Sequence, residues 1–285
     1  PFIHTGHSLG RDKLRKLLSD GMDKNEIEKR FKINHRINVE ENIIHLSNRI
    51  ITSTKQEIQN QYGDYDNTAP EKFCVIPPGV DLEKFYPYNS RIPLDEETAK
   101  LLQTISNQLL KFFIRIEKPL ILTVCRPDKR KNITGLIKAY GEDEDLQEKA
   151  NLAIFAGIRE DIQEMPDNER EVLTDILLLM DKYNLYGKMA IPKKHDFEHE
   201  VPELYRIAAE KKGVFVNSAL TEPFGLTLIE AASCGLPMVA PDDGGPRDIV
   251  KNCQCGILVN TTETKAIAAA VKQIITDSEK WKRYS

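Results

Sequence analysis

The sequence predicts an α/β protein made of two doubly wound domains with parallel sheets, the first of them incomplete. Two observations carry this. From Lys118 onward, short apolar runs of strand length alternate with helical patterns: Leu120–Cys125, Leu152–Gly157, Lys188–Ile191, Gly213–Asn217 and Pro237–Ala240 read as strands. Ile133–Lys149, Glu169–Lys182, Pro202–Lys211, Leu226–Cys234 and Glu263–Ile275 read as helices. Strands buried on both faces appear as continuous apolar runs, and regular strand–helix alternation builds a parallel sheet covered on both sides. The second observation is the same alternation, more thinly spread, over residues 1–83. Phe2–Thr5, Ile50–Thr52 and Phe73–Ile76 read as strands, and Arg11–Leu18, Arg36–Asn48 and Lys55–Tyr62 as helices.

Three short strands make a poor independent core, so the first domain is expected to have further strands before Pro1. Pro77-Pro78-Gly79 breaks the pattern, and Asp81–Arg91 reads as a linker. The division expected is therefore 1–83 for the back part of a first domain, 84–117 for a linker and connecting helix, and 118–285 for a second domain. With Pro1 in place of Met, the true start is expected to lie elsewhere.

Composition narrows the function classes. With a net charge of −4 over 285 residues, the chain lacks the basic balance expected of a nucleic-acid binder. Its longest apolar runs, such as Pro119–Cys125, fall far short of the roughly 20 residues that cross a bilayer. No signal peptide is legible at the start. Five scattered cysteines read as free thiols in a reducing compartment, so a cytoplasmic setting is expected.

The densest chemistry lies in Val214-Phe-Val-Asn-Ser-Ala-Leu-Thr-Glu222-Pro-Phe-Gly-Leu-Thr-Leu-Ile-Glu230. A strand ends near Asn217, a tight loop carries Pro223-Phe224-Gly225, and a helix starts near Leu226. The first amides of a helix lack partners and carry the positive end of its dipole, so such an end can bind a diphosphate without a metal. Glu222 before the helix and Glu230 inside it can accept hydrogen bonds from sugar hydroxyls. In a second element, Thr123-Val-Cys-Arg126-Pro-Asp-Lys-Arg-Lys131, a strand end delivers Arg126 and Lys131 to the carboxyl edge of the sheet. Ligands of open α/β sheets bind there, and two cations can neutralise a leaving diphosphate. The third element, Thr5-Gly-His7-Ser-Leu-Gly-Arg-Asp-Lys13, puts a histidine after a strand, with Lys13 and Arg36 near predicted helix starts. Both cations could hold an anionic acceptor, the arginine by a bidentate contact to phosphate.

His-Ser-Leu-Gly-Arg-Asp-Lys (7–13), Ile-Thr-Ser-Thr-Lys-Gln-Glu-Ile (51–58), Val-Ile-Pro-Pro-Gly-Val-Asp (75–81) and Glu-Pro-Phe-Gly-Leu-Thr-Leu-Ile-Glu (222–230) resemble the sucrose-phosphate synthases of plants and bacteria. The likeness runs over nearly the whole chain in the right order. It implies a GT-B fold, two Rossmann-like domains facing a cleft, with the first domain incomplete and the C-terminal crossover helix missing. It also implies a retaining transfer of glucose from UDP-glucose to fructose 6-phosphate, giving sucrose 6-phosphate and UDP, with no metal or other cofactor. By resemblance, His7 would sit beside the transferred glucose, and Arg126 and Lys131 would grip the diphosphate. Glu222 and the helix start at Phe224, Gly225, Leu226 and Thr227 would hold the glucose, and Glu230 the ribose. Lys13 and Arg36 would take the acceptor phosphate, and a sucrose-phosphate phosphatase is the implied partner. The family's glycine-rich loop is absent, and His35 and Ile158 stand where relatives often carry a basic and a polar residue. The isolated chain is accordingly expected to be nearly inactive.

Other functions share parts of this pattern. A synthase with another donor, such as GDP-mannose in mannosylfructose-phosphate synthase, would share these motifs. Sucrose synthase uses free fructose, which leaves Lys13 and Arg36 facing a neutral sugar. A non-catalytic sugar-phosphate-binding homologue would have no need of the leaving-group pair. His195-Asp-Phe-Glu198-His199 matches a zinc-protease pattern, but Pro192 before it and Pro202 after it make it a loop entering a helix at Pro202. Cys253-Gln-Cys255 lacks a second ligand pair. Asp143-Glu144-Asp145 reads as the solvated face of a helix, and Gly244-Gly245-Pro246 as a loop shaping the floor of the same cleft.

Overall fold

Strand alternation divides the side chains between two cores. In the strand Leu120–Cys125, Ile121 faces one apolar cluster while Leu120, Leu122 and Val124 face another. Asn151–Ala156 repeats this, with Leu152 and Ile154 on the first side and Ala153 and Phe155 on the second. A strand with both faces buried needs a helical layer on each. A computed structural model describes residues 1–6, 8–90 and 95–285; His7 and the linker end at Arg91 lie outside the described residues.

The chain forms two units, Pro1–Gly79 and Val80–Ser285. In the first, β1 (Ile3–Thr5), β2 (Arg49–Thr52) and β3 (Phe73–Val75) make a parallel sheet in the order β1-β2-β3. Helices α1 (Gly10–Ser19), α2 (Lys24–Phe31) and α3 (Ile33–Leu46) connect β1 to β2. The short α2 was not legible as a helix in the sequence. Asp23 caps it, accepting from the Asn25 and Glu26 amides. The stretch predicted as one helix over Lys55–Tyr62 begins as α4 (Lys55–Glu57) and widens into a π-turn over Ile58–Tyr62.

The second unit opens with Phe85 buried in its core, so the expected linker is seated on this unit. Then come α5 (Glu96–Leu110), β4 (Leu120–Cys125), α6 (Ile133–Gly141), α7 (Glu144–Lys149), β5 (Asn151–Ala156), α8 (Asp167–Lys182) and β6 (Met189–Ala190). After these follow α9 (Glu200–Glu210), β7 (Val214–Val216), α10 (Leu226–Ser233), β8 (Met238–Pro241), α11 (Gly244–Cys253), β9 (Gly256–Val259), α12 (Thr264–Ile275) and α13 (Ser278–Tyr284). The sheet is parallel throughout, in the order β6-β5-β4-β7-β8-β9.

Three local readings change. The helix predicted over Ile133–Lys149 breaks at Glu142-Asp143, because the Asp143 carboxylate accepts the Leu146 amide at 3.0 Å and starts α7. Asp143 and Asp145 also pair with Lys272, so the acidic run caps a helix and ties down α12 rather than facing solvent freely. Both β9 and α13 escaped the sequence reading. The latter is held by Trp281, whose indole donates to Gly213 O at 2.7 Å in the interior.

Candidate functional site

Strand order places the site. Going outward from β4, the chain lays β5 and β6 to one side and β7, β8 and β9 to the other. The order therefore reverses between β4 and β7, and ligands of open α/β sheets bind at the carboxyl ends of the strands at such a switch point. A cavity of about 440 Å³ opens there. Its walls come from the end of β4 (Thr123 to Arg126), the loop after β5 (Gly157, Ile158), the end of β7 (Phe215, Asn217, Ser218) and Thr227 of α10.

Arg126 and Lys131 both line this cavity. The loop that carries them is tightly held. Asp128 accepts from the Arg130 amide and guanidinium, which hold its carboxyl down to about 2. Ser218 Oγ donates to Lys131 O at 2.9 Å, and the Leu220 amide donates to Arg130 O at 2.8 Å. The basic loop after β4 is thus fixed to the loop after β7, about 90 residues along the chain. The Lys131 ammonium lies 2.6 Å from Glu222 Oε2, an ion pair not expected from the sequence.

Glu222 is 8% exposed and precedes α10; like Phe224, Gly225 and Leu226 it is not among the described residues lining the cavity, which its partners Lys131 and Asn217 do line. Its second donor is Asn217, whose Nδ2 donates to the same Oε2 at 3.1 Å. Asn217 lines the cavity and was not singled out in the sequence; a polar residue at a carboxyl strand end is the signal that could have found it. Gly225 caps α10 at φ +94, a left-handed conformation that favours glycine. Phe224, Gly225 and Leu226 form the junction where the helix amides open, and Thr227 reaches the cavity wall.

Glu230 is also buried, but its Oε2 accepts from Tyr205 OH at 3.1 Å, and it is not among the described residues lining the cavity. Burial pushes its carboxyl above the ordinary range, partly countered by the Tyr205 hydroxyl. His195 contributes to the cavity wall with its ring edge-on to Phe155, at 5.7 Å between centroids. His199 instead pairs with Asp196 at 2.6 Å. The zinc-like pattern thus spans a loop, with α9 beginning at Glu200, two residues before the expected start. Among the described residues, no three His, Cys, Asp or Glu side chains gather to hold a metal. None of the described helices is long and apolar enough to cross a membrane.

In the first unit, Arg36 and Lys13 both have partners. Arg36 Nε donates to Glu40 Oε1 at 2.9 Å, and its guanidinium also reaches Ser8 O. Glu40 is buried and accepts in addition from the Gly10 amide at 2.8 Å and from Tyr65 OH. That carboxylate therefore joins the start of α1 to α3. Lys13, one turn into α1, sits 4.1 Å above the Phe31 ring.

Residues 107–285 match the family model described as "Glycosyl transferases group 1". Over 99% of its length the chain is 42% identical to the probable sucrose-phosphate synthase 2 of Arabidopsis thaliana and 42% identical to the sucrose-phosphate synthase of Zea mays. It spans 29% of the length of each of those relatives. Among solved structures, the sucrose-phosphate synthase of Thermosynechococcus elongatus matches 99% of the chain and 60% of its own at a TM-score of 0.71 and 26% identity. The Anabaena protein HepE, solved with UDP and glucose, matches all of the chain and 65% of its own at a TM-score of 0.69 and 15% identity, a likeness of fold. The α/β architecture with parallel sheets is that of GT-B glycosyltransferases.

Proposed function

The chain belongs to the group 1 glycosyltransferases, and we propose from that membership that the protein it is part of makes sucrose 6-phosphate. In this reading, glucose passes from UDP-glucose to the 2-hydroxyl of fructose 6-phosphate with retention, and UDP leaves. The observation that carries it is the pairing of Arg126 and Lys131 with the start of α10 around the switch-point cavity, in a chain 42% identical to sucrose-phosphate synthases.

The chemistry follows from where charge develops. As the glucosyl C1–O bond breaks, negative charge collects on the diphosphate, and fixed cations and helix amides at that position stabilise it without reorganising. Arg126 and Lys131 supply the cations, so the reaction needs no metal. Lys131 rests on Glu222 in the free protein and exchanges that partner for phosphate when the donor arrives. Glu222 is then free to accept hydrogen bonds from glucose hydroxyls, with the junction Phe224–Thr227 beside it, while Glu230 serves the ribose. For His7, outside the described residues, the role beside the transferred sugar rests on the resemblance alone. Lys13 and Arg36 receive the acceptor phosphate, Arg36 through the part of its guanidinium that Glu40 and Ser8 O leave over. The five cysteines are free thiols, in keeping with a cytoplasmic enzyme whose product a phosphatase would consume.

The test is nucleotide release by the complete protein with UDP-glucose and either fructose 6-phosphate or fructose. Release with the phosphate ester alone, with the acceptor KM raised ten- to a hundredfold in Arg36→Ala, is the expected result, the size being that of one lost charged contact of about 1.5–3 kcal/mol. Release with free fructose, or with GDP-mannose only, would replace this reaction by that of a sister enzyme.

A further inference from the structure

Glu222 owes its setting to two features outside the stretch Glu222–Glu230. Asn217, 7% exposed, uses both ends of its amide. Its Nδ2 donates to Glu222 Oε2 at 3.1 Å, and its Oδ1 accepts the Ala219 amide at 3.1 Å. The Ala219 amide can only donate, which fixes the side chain so that its NH₂ faces the carboxylate. In the free protein Lys131 lies on the same atom, and Oε1 has no partner among the described residues; when Lys131 turns to phosphate, the Asn217 amide remains on Oε2.

The second feature is the start of α11. The Gly245 amide donates to Pro223 O at 3.0 Å. A Cβ on Gly245 would fall 2.3 Å from Phe224 O, and one on Gly244 would fall 2.4 Å from Glu222 O. Gly244 also sits at φ +58. Only glycine lets two backbone segments approach this closely, so α11 presses directly on the loop from Glu222 to Phe224.

We infer that Asn217 and the Gly244-Gly245 pair are positioning residues for Glu222: the amide turns Oε1 toward the sugar of the donor, and the glycines hold the loop in register. The inference rests on the reading that Glu222 meets the transferred sugar. It separates positioning of the sugar from binding of the nucleotide, which Arg126 and Lys131 serve.

A double-mutant cycle on the complete protein tests it. Asn217→Ala is expected to lower kcat/KM for UDP-glucose ten- to a hundredfold while the Kd of UDP stays within about threefold, the loss of one buried hydrogen bond to a charged group. Glu222→Ala is expected to cost more, and adding Asn217→Ala to it is expected to cost nothing further. Losses that multiply, or a UDP affinity that falls in step with turnover, would overturn the assignment by making Asn217 a direct ligand. Gly245→Ala is expected to reproduce the Asn217→Ala signature; a variant that binds UDP and turns over normally refutes the glycine part. If Gly245→Ala fails to bind UDP at all, it has lost its fold, and the Asn217 cycle decides alone. Wild-type protein that releases no UDP refutes the proposed reaction instead. The cycle is then read on the ratio of the Kd values for UDP-glucose and UDP, where the same non-additivity is required.

Discussion

Replacing Lys131 by Met probes the exchange of partners most directly, because the loop backbone has its own anchors in Ser218 and Leu220 and should keep its place. In the free protein the ammonium and the Glu222 carboxylate form a partly buried pair, with side chains 28% and 11% exposed. Exposed pairs contribute about 0–1 kcal/mol, and breaking a fully buried one costs about 3–5 kcal/mol, so this site should lose about 1–2 kcal/mol. For a unit of this size that is a fall in Tm of about 2–8 °C. On binding, Lys131 gains a charged contact with phosphate of about 1.5–3 kcal/mol but gives up the pair with Glu222. The net loss of UDP affinity in Lys131→Met is then about 0.5–1 kcal/mol, roughly two- to fivefold. Arg126 is exposed and has no ion-pair partner among the described residues to surrender, so Arg126→Ala should lose the full contact, about ten- to a hundredfold, with little change in Tm. Calorimetric titration with UDP and thermal melting of the two variants give the comparison. Equal affinity losses with unchanged melting in both would refute the exchange.

Three more outcomes follow from the same structure. Burial raises the Glu230 carboxyl pKa, so the fold favours the protonated form. The cost of carrying charge is absent below the ordinary value of 4.5 and grows as pH rises through the raised one. Glu230→Gln should therefore melt above wild type at pH 7, with the gap closing toward pH 4, while UDP binds more weakly; a gap that widens on acidification would reverse the assignment. Asp143→Ala removes the cap of α7 and the anchor of Lys272, at a cost of about 1 kcal/mol for the cap, or about 2–4 °C in Tm, with turnover unchanged. In the proposed reaction Arg126, Lys131 and the α10 amides supply the countercharge, so dialysis against a chelator should leave transfer unaffected; loss of activity restored by a divalent cation would contradict this.

The sequence by itself determined what depends on near neighbours. Parallel strands buried on both faces must be apolar runs, so β4, β5, β7 and β8 were legible within a residue or two. The loop before α10 announced itself through Pro223-Phe224-Gly225, since a left-handed cap and a helix start are local matters. The relation of Lys131 to Glu222 was not legible, because 91 residues separate them and only the β4–β7 pairing brings the two loops together. Asn217 looked like any polar residue after a strand until the fold supplied a carboxylate for its amide. Gly244-Gly245 was read as a loop on the floor of the cleft, whereas it begins α11 and meets the backbone from Glu222 to Phe224, since a glycine's lack of a side chain gains meaning only from the backbone that occupies the space. Tertiary structure decided these points for one reason: short-range propensity places each strand end, but strand order chooses which ends share a cavity.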